Sequence, residues 1–413
     1  MSLVRNTFWN LSGYVIPSLI AIPALGYLAR ALGPERFGLF TLAVAIVGYA
    51  SIFDAGLTRA VIREVSFYRD DENEIKKIIS NSTFILVVLG LIGGLSIFFG
   101  APHLVDLLKV GAVYKTEVIS SIELLGITIP LFLLNQVWLG TLEGFEQFKK
   151  LNLVKSFNSS FIAGFPAIFV LYKPDLIFAV LGLLLARVAS LLITFYTCRS
   201  HVLSAGFTTD KVTTVRLLKY GGWITISNIV SPLMTYLDRF LISNITGAAN
   251  VAFYTAPSEG VQRLTIIPGA LSRAVFPKLS RFTDKDERQK QQFLAYFLMS
   301  IAIFPLCLLG VFFSEKILTL WMGNDYAGLS ATILKILLVG FFFNCIAQIP
   351  FSSIQAAGHS RTTALLHIIE VIPYLILLYS FIHLYGLIGA AFAWSIRTTV
   401  DCLALILLNK KIQ

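Results

Sequence analysis

Charge is what this sequence is short of. Asp, Glu, Lys and Arg make up 14% of its 413 residues, against roughly 25% in an ordinary soluble domain. With 56% hydrophobic residues and a mean hydropathy of +0.78, the chain has more apolar surface than a water-soluble core can hide. A soluble enzyme is excluded, and so is disorder, which needs low hydrophobicity. Cysteine is scarce too. Cys198, Cys307, Cys345 and Cys402 lie far apart in or beside apolar runs, and no Cys-x-x-Cys occurs. Neither a disulfide framework nor a zinc or dithiol site is indicated, and the four read as small core hydrophobes. The five histidines (His103, His201, His359, His367 and His383) show no paired ligand spacing. There is no Gly-Lys dipeptide from which a Walker A loop could be built, and no nucleophile elbow. No cofactor, metal or catalytic residue is expected. Long polar loops are also missing. The longest, about 63–77, 199–216 and 278–292, are too short to fold into a catalytic domain outside a membrane.

What the chain has is apolar runs of membrane length, roughly 20 residues each. Twelve are legible, at about 8–28, 38–58, 78–100, 117–139, 152–172, 175–198, 220–242, 250–272, 292–314, 329–353, 362–384 and 386–408. They are numbered here as spans 1 to 12. They are continuous rather than alternating, which excludes a β-barrel. The first follows a single basic residue, Arg5, and exceeds the roughly 7–15 residues of a signal h-region, so it reads as a span and not as a cleaved leader. The net charge of +10 would suggest nucleic acid in a soluble protein. Here Lys and Arg collect in the tails and the even-numbered loops, as at Arg59, Arg63, Arg69, Lys76 and Lys77 after span 2. Arg30, Arg36, Lys109, Lys115, Lys173 and Lys316 are the few on the other side. The bias puts both termini in the cytoplasm, and an even number of spans agrees. No nucleic-acid partner is expected.

Shifting the chain by 214 positions lays Gly56-Leu57-Thr58-Arg59-Ala60-Val61 over Ala270-Leu271-Ser272-Arg273-Ala274-Val275. Trp9 falls on Trp223, Gly33 on Gly247 and Gly144 on Gly358; Arg187 corresponds to Arg397 at offset 210. Chance likeness between apolar segments is the alternative. A parallel repeat explains the shared offset better, and transporters often have that design. The expected fold is all-α, a polytopic membrane protein with twelve transmembrane helices. They form two six-helix bundles, 1–205 and 206–413, related by a parallel repeat around a central cavity.

Three stretches carry a family resemblance. They are Leu32-Gly33-Pro34-Glu35-Arg36-Phe37-Gly38-Leu39-Phe40 after span 1, Asp54-Ala55-Gly56-Leu57 closing span 2, and Asp238-Arg239-Phe240-Leu241-Ile242 followed by Gly247 and Tyr254. In their order and spacing the chain resembles Wzx-type O-antigen flippases, polysaccharide exporters of the multidrug/oligosaccharidyl-lipid/polysaccharide (MOP) superfamily. The resemblance implies a bacterial inner-membrane protein that moves undecaprenyl-pyrophosphate-linked repeat units from the cytoplasmic to the periplasmic leaflet. It implies alternating access, with 1–205 rocking against 206–413. The implied partners are the lipid-linked oligosaccharide, membrane lipids, and the glycan polymerase and chain-length regulator of the same pathway. Lipid II flippases fit less well, typically having fourteen helices. A small-molecule/cation antiporter of the same superfamily is the alternative, but span 1 holds no Asp or Glu. A membrane glycosyltransferase or polymerase would need a sizeable outer loop.

Ionisable residues at bilayer depth cost about 2.5–3.5 kcal/mol on insertion scales and are functional candidates by default. Arg187 in span 6, Glu259 and Arg263 in span 8, and Arg397 in span 12 lie near the midplane. Glu259 and Arg263 are four apart on one helix face, as are Arg397 and Asp401. They are either structural ion pairs or part of a wet, net-positive cavity. Arg187 has Leu183, Leu184, Ser190 and Leu191 at helical spacing, hence no acid on its own helix. It is the foremost candidate for substrate contact, because guanidinium stays charged and binds phosphate oxygens bidentately. Arg59 and Arg273 hold matching cytoplasmic ends of spans 2 and 8, as receivers of the diphosphate or as positive-inside anchors. Asp238 and Arg239 in span 7 pair or line the cavity. Glu370 with His367 in span 11, and Asp54 in span 2, are proton or cation coupling candidates.

Overall fold

In hydrocarbon a backbone amide has no water to bond, so every crossing segment must satisfy its own hydrogen bonds. The protein meets that demand with helices. The structure, a computed structural model, describes residues 3–206, 209–269, 285–357 and 359–412, with side chains over 17–206, 209–222, 236–269, 289–355, 357, 359 and 361–412. No strand occurs among them. The helices are α1 (Leu3–Tyr49), α2 (Leu57–Phe67), α3 (Glu72–Leu107), α4 (Lys115–Gly144), α5 (Phe148–Val170), α6 (Leu176–Ala205), α7 (Lys211–Thr246), α8 (Val251–Leu264), α9 (Lys285–Phe312), α10 (Ser314–Met322), α11 (Leu329–Ala356) and α12 (Ser360–Ile412). Among the described residues, eight stretches are long and apolar enough to cross a membrane. Their outer faces are greasy: Leu91, Leu95 and Phe99 on α3 and Ile369, Ile372 and Ile376 on α12 are all at least half exposed. Lipid, not water, suits such a surface.

Two of the eight stretches are too long for one crossing. At 47 residues α1 would measure about 70 Å, more than twice the roughly 30 Å hydrocarbon core. It breaks at Gly33, whose φ of 73° and ψ of 169° are not helical, inside the first loop motif. The 53-residue α12 breaks likewise at Gly386, with φ 59° and ψ −137°. Residues on its two arms meet in antiparallel register: Arg397 with Glu370, Asp401 with His367, and Gly389 against the Phe381 carbonyl. The expected spans 1 and 2, and 11 and 12, are therefore the arms of broken helices. The repeat segment 270–275, with Arg273, lies outside the described residues.

The chain forms two compact units, Met1–Phe240 with Gly247–Ala249, and Leu241–Thr246 with Asn250–Gln413. In the first, α3 packs on α4, α5 on α6 and on α1, and α6 on α4. Small residues let backbones close up, as is usual in membranes. A Cβ added at Gly94 or Gly126 would come within 2.6 Å of the other's carbonyl oxygen. Buried polar groups tie three helices together. Asn135 Oδ1 on α4 accepts from Thr194 Oγ1 on α6 at 2.6 Å and from Asn158 Nδ2 on α5 at 3.4 Å.

The motifs turn out to be joints. Arg36 of the first loop pairs with Glu117 at 3.0 Å, and Glu117 Oε1 also accepts the Leu176 backbone N–H at 2.7 Å. One carboxylate thus ties the first loop to the starts of α4 and α6. Asp54 accepts the backbone N–H of Thr58 at 3.2 Å and its hydroxyl at 2.6 Å, holding the first turn of α2. The turn before it needs positive φ at Ala55 (48°) and Gly56 (70°), and a Cβ at Gly56 would strike the Gly221 carbonyl. The start of α7 is bound into the same unit. Arg216 bridges Glu64 and Glu74 at 2.9 Å each, and Asn81 Oδ1 accepts from the Asp210 N–H and the Thr214 hydroxyl at 2.8 Å. Hydrogen bonds from Thr213 hold the Asp210 carboxyl below its ordinary pKa. In the second unit α11 packs on α12, α9 and α8. There Gln292 donates to Ser353 Oγ at 2.6 Å and accepts from Asn409 at 3.2 Å. The four cysteines are free and buried.

Gly56→Ala should lower stability by about 2 kcal/mol, through both the left-handed backbone and the blocked approach. Gly100→Ala in α3, where a Cβ meets nothing within 4 Å, should be close to neutral. Thermal unfolding of the two variants in detergent checks this; equal midpoints would contradict it.

Candidate functional site

Asp175 caps α6 by accepting the Phe178 N–H at 2.9 Å, and the helix then runs uninterrupted past Arg187. Arg187 is half-buried as a residue, and its Nε is buried. Its guanidinium carbon lies 4.8 Å from the centroid of the Phe132 ring on α4. Among the described residues no carboxylate pairs with it, and its Nε has no hydrogen-bond partner. A cation over a ring gains about 0.5–2 kcal/mol, yet the ring uses none of the five N–H donors. Arg187 is held in place with its donors unspent.

Phe132 also borders a cleft of about 350 Å³ in the first unit. Ser51, Asp54, Thr58 and Arg59 line it from the turn into α2, Gln136 and Glu143 from α4, and Lys155 from α5. Arg59 and Asp54 are therefore brought together. Gln136, Glu143 and Lys155 carry no sequence signal that groups them, since Glu143 lies beyond its apolar run and Lys155 just inside the next. Their association is purely spatial: Lys155 Nζ lies 3.3 Å from Glu143 Oε2.

In the second unit, Arg397 Nε lies 4.0 Å from Glu370 Oε2, and its guanidinium carbon lies 5.2 Å from the Tyr374 ring centroid. Asp401 Oδ1 lies 3.5 Å from His367 Nε2, and the His367 ring stacks on Phe351 at 5.6 Å and 10°. The spacing of four suggested a pair between Arg397 and Asp401. Instead each reaches the opposite arm of α12, because the break at Gly386 folds the arms face to face. Two carboxylates, one guanidinium and one imidazole thus share a small volume.

The remaining candidates are placed differently. Arg263 pairs with Glu259 at 3.3 Å along α8, the ion-pair alternative of the sequence reading. Arg239 is 1% exposed, 5.6 Å from the Tyr236 ring centroid, and Asp238 accepts the Arg239 backbone N–H at 2.7 Å. These two are packed into the interior of α7's neighbourhood rather than lining the cleft. Arg273 lies outside the described residues.

Comparison with known proteins places the chain in a family. The family described as "Polysaccharide biosynthesis protein" matches residues 3–283. The chain is 49% identical over 405 residues to a Shigella flexneri protein named as an O-antigen transporter, covering 98% of this chain and 97% of that one. It is 23% identical to the lipopolysaccharide biosynthesis protein WzxC of Escherichia coli, covering 82% of this chain and 68% of that one. Among solved structures, a multidrug resistance MATE family transporter of the MOP superfamily, in its inward-facing conformation, is similar with TM-score 0.77 at 15% identity over 97% of both chains. A MOP superfamily transporter from Pyrococcus furiosus is similar with TM-score 0.68 at 16% identity, covering 99% of this chain and 94% of that one. At these identities the solved structures speak for the fold.

The α12 cluster makes a stability prediction. Removing one partner of an ion pair that is shielded from water strands the other, whereas replacing both can be neutral. Arg397→Leu should therefore lower the thermal midpoint more than the double variant Arg397→Leu/Glu370→Leu. A double variant as unstable as the sum of its singles would contradict the pairing.

Proposed function

This chain belongs to the polysaccharide biosynthesis protein family, and we propose that it is a Wzx-type member of the MOP superfamily, a flippase for lipid-linked O-antigen repeat units. Its substrate is an undecaprenyl-pyrophosphate-linked oligosaccharide, moved from the cytoplasmic to the periplasmic leaflet of the bacterial inner membrane by alternating access through a cationic cavity. The observation that carries this reading is the near full-length likeness to a protein named as an O-antigen transporter. Twelve spans in two six-helix halves fit it: the broken helices α1 and α12 supply two crossings each, and α7 and α8 complete the set. Both termini are cytoplasmic, by the Lys and Arg bias.

The physical problem is a multiply charged head group facing about 30 Å of hydrocarbon. A hydrated basic path removes most of that barrier while the polyprenyl tail stays in lipid. Arg187 is the principal contact, since its donors are free to take two phosphate oxygens at once. Arg397 is a second, exchanging Glu370 for phosphate. Arg263, Arg239, Arg59 and Arg273 are lesser contributors to the positive field. Around Arg397, the carboxyls of Glu370 and Asp401 beside His367 can take up a counter-ion or proton when the guanidinium is drawn away, which makes this cluster the coupling site. Asp54, Asp238 and Glu259 are already engaged with neighbours in their own units and serve structure first. The membrane potential supplies drive, since moving one charge through 100 mV is worth about 2.3 kcal/mol, and an anionic head group leaving a negative cytoplasm runs downhill. The glycan polymerase and chain-length regulator receive the product on the far side.

Deleting the gene should abolish surface O-antigen and leave lipid-linked repeat units on the inner leaflet. Complementation with Arg187→Ala or Arg397→Ala should insert normally yet restore export poorly, at about a tenth of the wild-type rate or less, as expected for loss of a charge-assisted contact worth about 1.5–3 kcal/mol. Arg187→Lys should recover part of it. Surface glycan quantified against membrane-inserted protein reads the outcome; full export by both alanine variants would contradict the assignment.

A further inference from the structure

A site built for a diphosphate should carry surplus positive charge. The cleft of the first unit does not. Its two cations, Arg59 and Lys155, share the lining with two carboxylates, Asp54 and Glu143. Lys155 is already 3.3 Å from Glu143, and Asp54 already accepts the Thr58 hydroxyl at 2.6 Å. A diphosphate placed there would meet two like charges, the arrangement that interfaces use to reject a ligand.

The same lining suits a neutral polyhydroxyl ring. Every sugar hydroxyl both donates and accepts, and the cleft offers both functions side by side. The carboxylates accept, the ammonium and guanidinium donate, and the Gln136 amide does both. Phe132 adds an aromatic face, whose negative quadrupole attracts polarised C–H edges as it attracts a cation. A volume of about 350 Å³ is at the small end of ligand pockets, which run about 300–1,000 Å³. It fits the end of a glycan rather than a whole repeat unit.

We propose that this cleft is a carbohydrate-reading subsite, which selects the sugar nearest the diphosphate while the diphosphate itself is held next door at Arg187. The two are adjacent through one side chain: Phe132 lines the cleft, and its ring carries the Arg187 guanidinium at 4.8 Å. Arg59 is thereby reassigned from receiver of the diphosphate to a charge-balanced member of the sugar subsite. The inference rests on the flippase reading and adds to it the residues that recognise the glycan: Gln136, Glu143 and Lys155, with Phe132 as platform.

The test is direct binding to the full-length protein in nanodiscs. Two ligands are compared: lipid-linked repeat unit extracted from the deletion strain, and undecaprenyl diphosphate without sugar. The wild type should bind the glycan lipid about tenfold or more tighter. Gln136→Ala and Glu143→Gln should each remove most of that preference and leave affinity for the bare diphosphate lipid in place, which also reports that the variants are folded. Arg187→Ala should weaken both ligands. A wild type without preference, a preference that survives both substitutions, or equal weakening of both ligands by Gln136→Ala and Glu143→Gln would overturn the subsite. A wild type that binds neither ligand would instead overturn the flippase reading beneath it.

Discussion

A charge packed between helices must find a partner, and how the arginines of this chain do so decides what the chain can do. Arg36 pairs with Glu117, Arg216 with Glu64 and Glu74, and Arg263 with Glu259, while Arg397 lies 4.0 Å from Glu370 across the α12 break. Arg187 is different: among the described residues it has an aromatic ring and no carboxylate. A ring fixes the position of a guanidinium without neutralising it. The cost of keeping such a group at depth makes sense if an anion visits it. The transport account follows from that cation.

Around it the fold is a set of joints that hold helices at fixed spacing. Gly33 and Gly386 break helices too long for the bilayer. Gly56 lets the turn into α2 come against α7 at Gly221, and the facing glycines of α3 and α4 bring those helices together. The hydrogen bonds of Asn135, Thr194 and Asn158 lock α4, α5 and α6, the helices that carry Phe132, Lys155 and Arg187. The family motifs at residues 32–40 and 54–57 thus act on geometry, and Asp54 of the second also lines the cleft of the first unit.

Much of this was legible along the chain. The apolar runs match helices, and Gly33 of the first loop motif falls at the break in α1. Arg187 stood out because no acid lies one turn away, and the structure places none beside it among the described residues. What could not be read is what depends on contacts between helices. Helical spacing compares a residue with its own turn, so it paired Arg397 with Asp401 and could not see that a hairpin brings Glu370 and His367 opposite them. The sequence left Arg239 either to pair or to line a cavity, and packing buries it at 1% exposure. The cleft was invisible for the same reason, because its members come from three helices and a turn, and only Arg59 and Asp54 showed any sign of depth. The repeat divides the sequence at 205/206, while the clamp of Arg216 and Asn81 binds the start of α7 into the first compact unit. Sequence period and spatial contact record different things here.

The central claim is that position 187 lies in water-accessible, ligand-accessible space within the membrane. It is tested most directly by introducing Arg187→Cys and measuring its reaction with a charged, membrane-impermeant thiol reagent. The native cysteines are buried and supply a low background. Only a hydrated thiol ionises and reacts. The account predicts rapid labelling in intact membranes, slowed when the lipid-linked repeat unit is present. A thiol that stays unlabelled until the protein is unfolded would show a dry helix contact in its place and contradict the account.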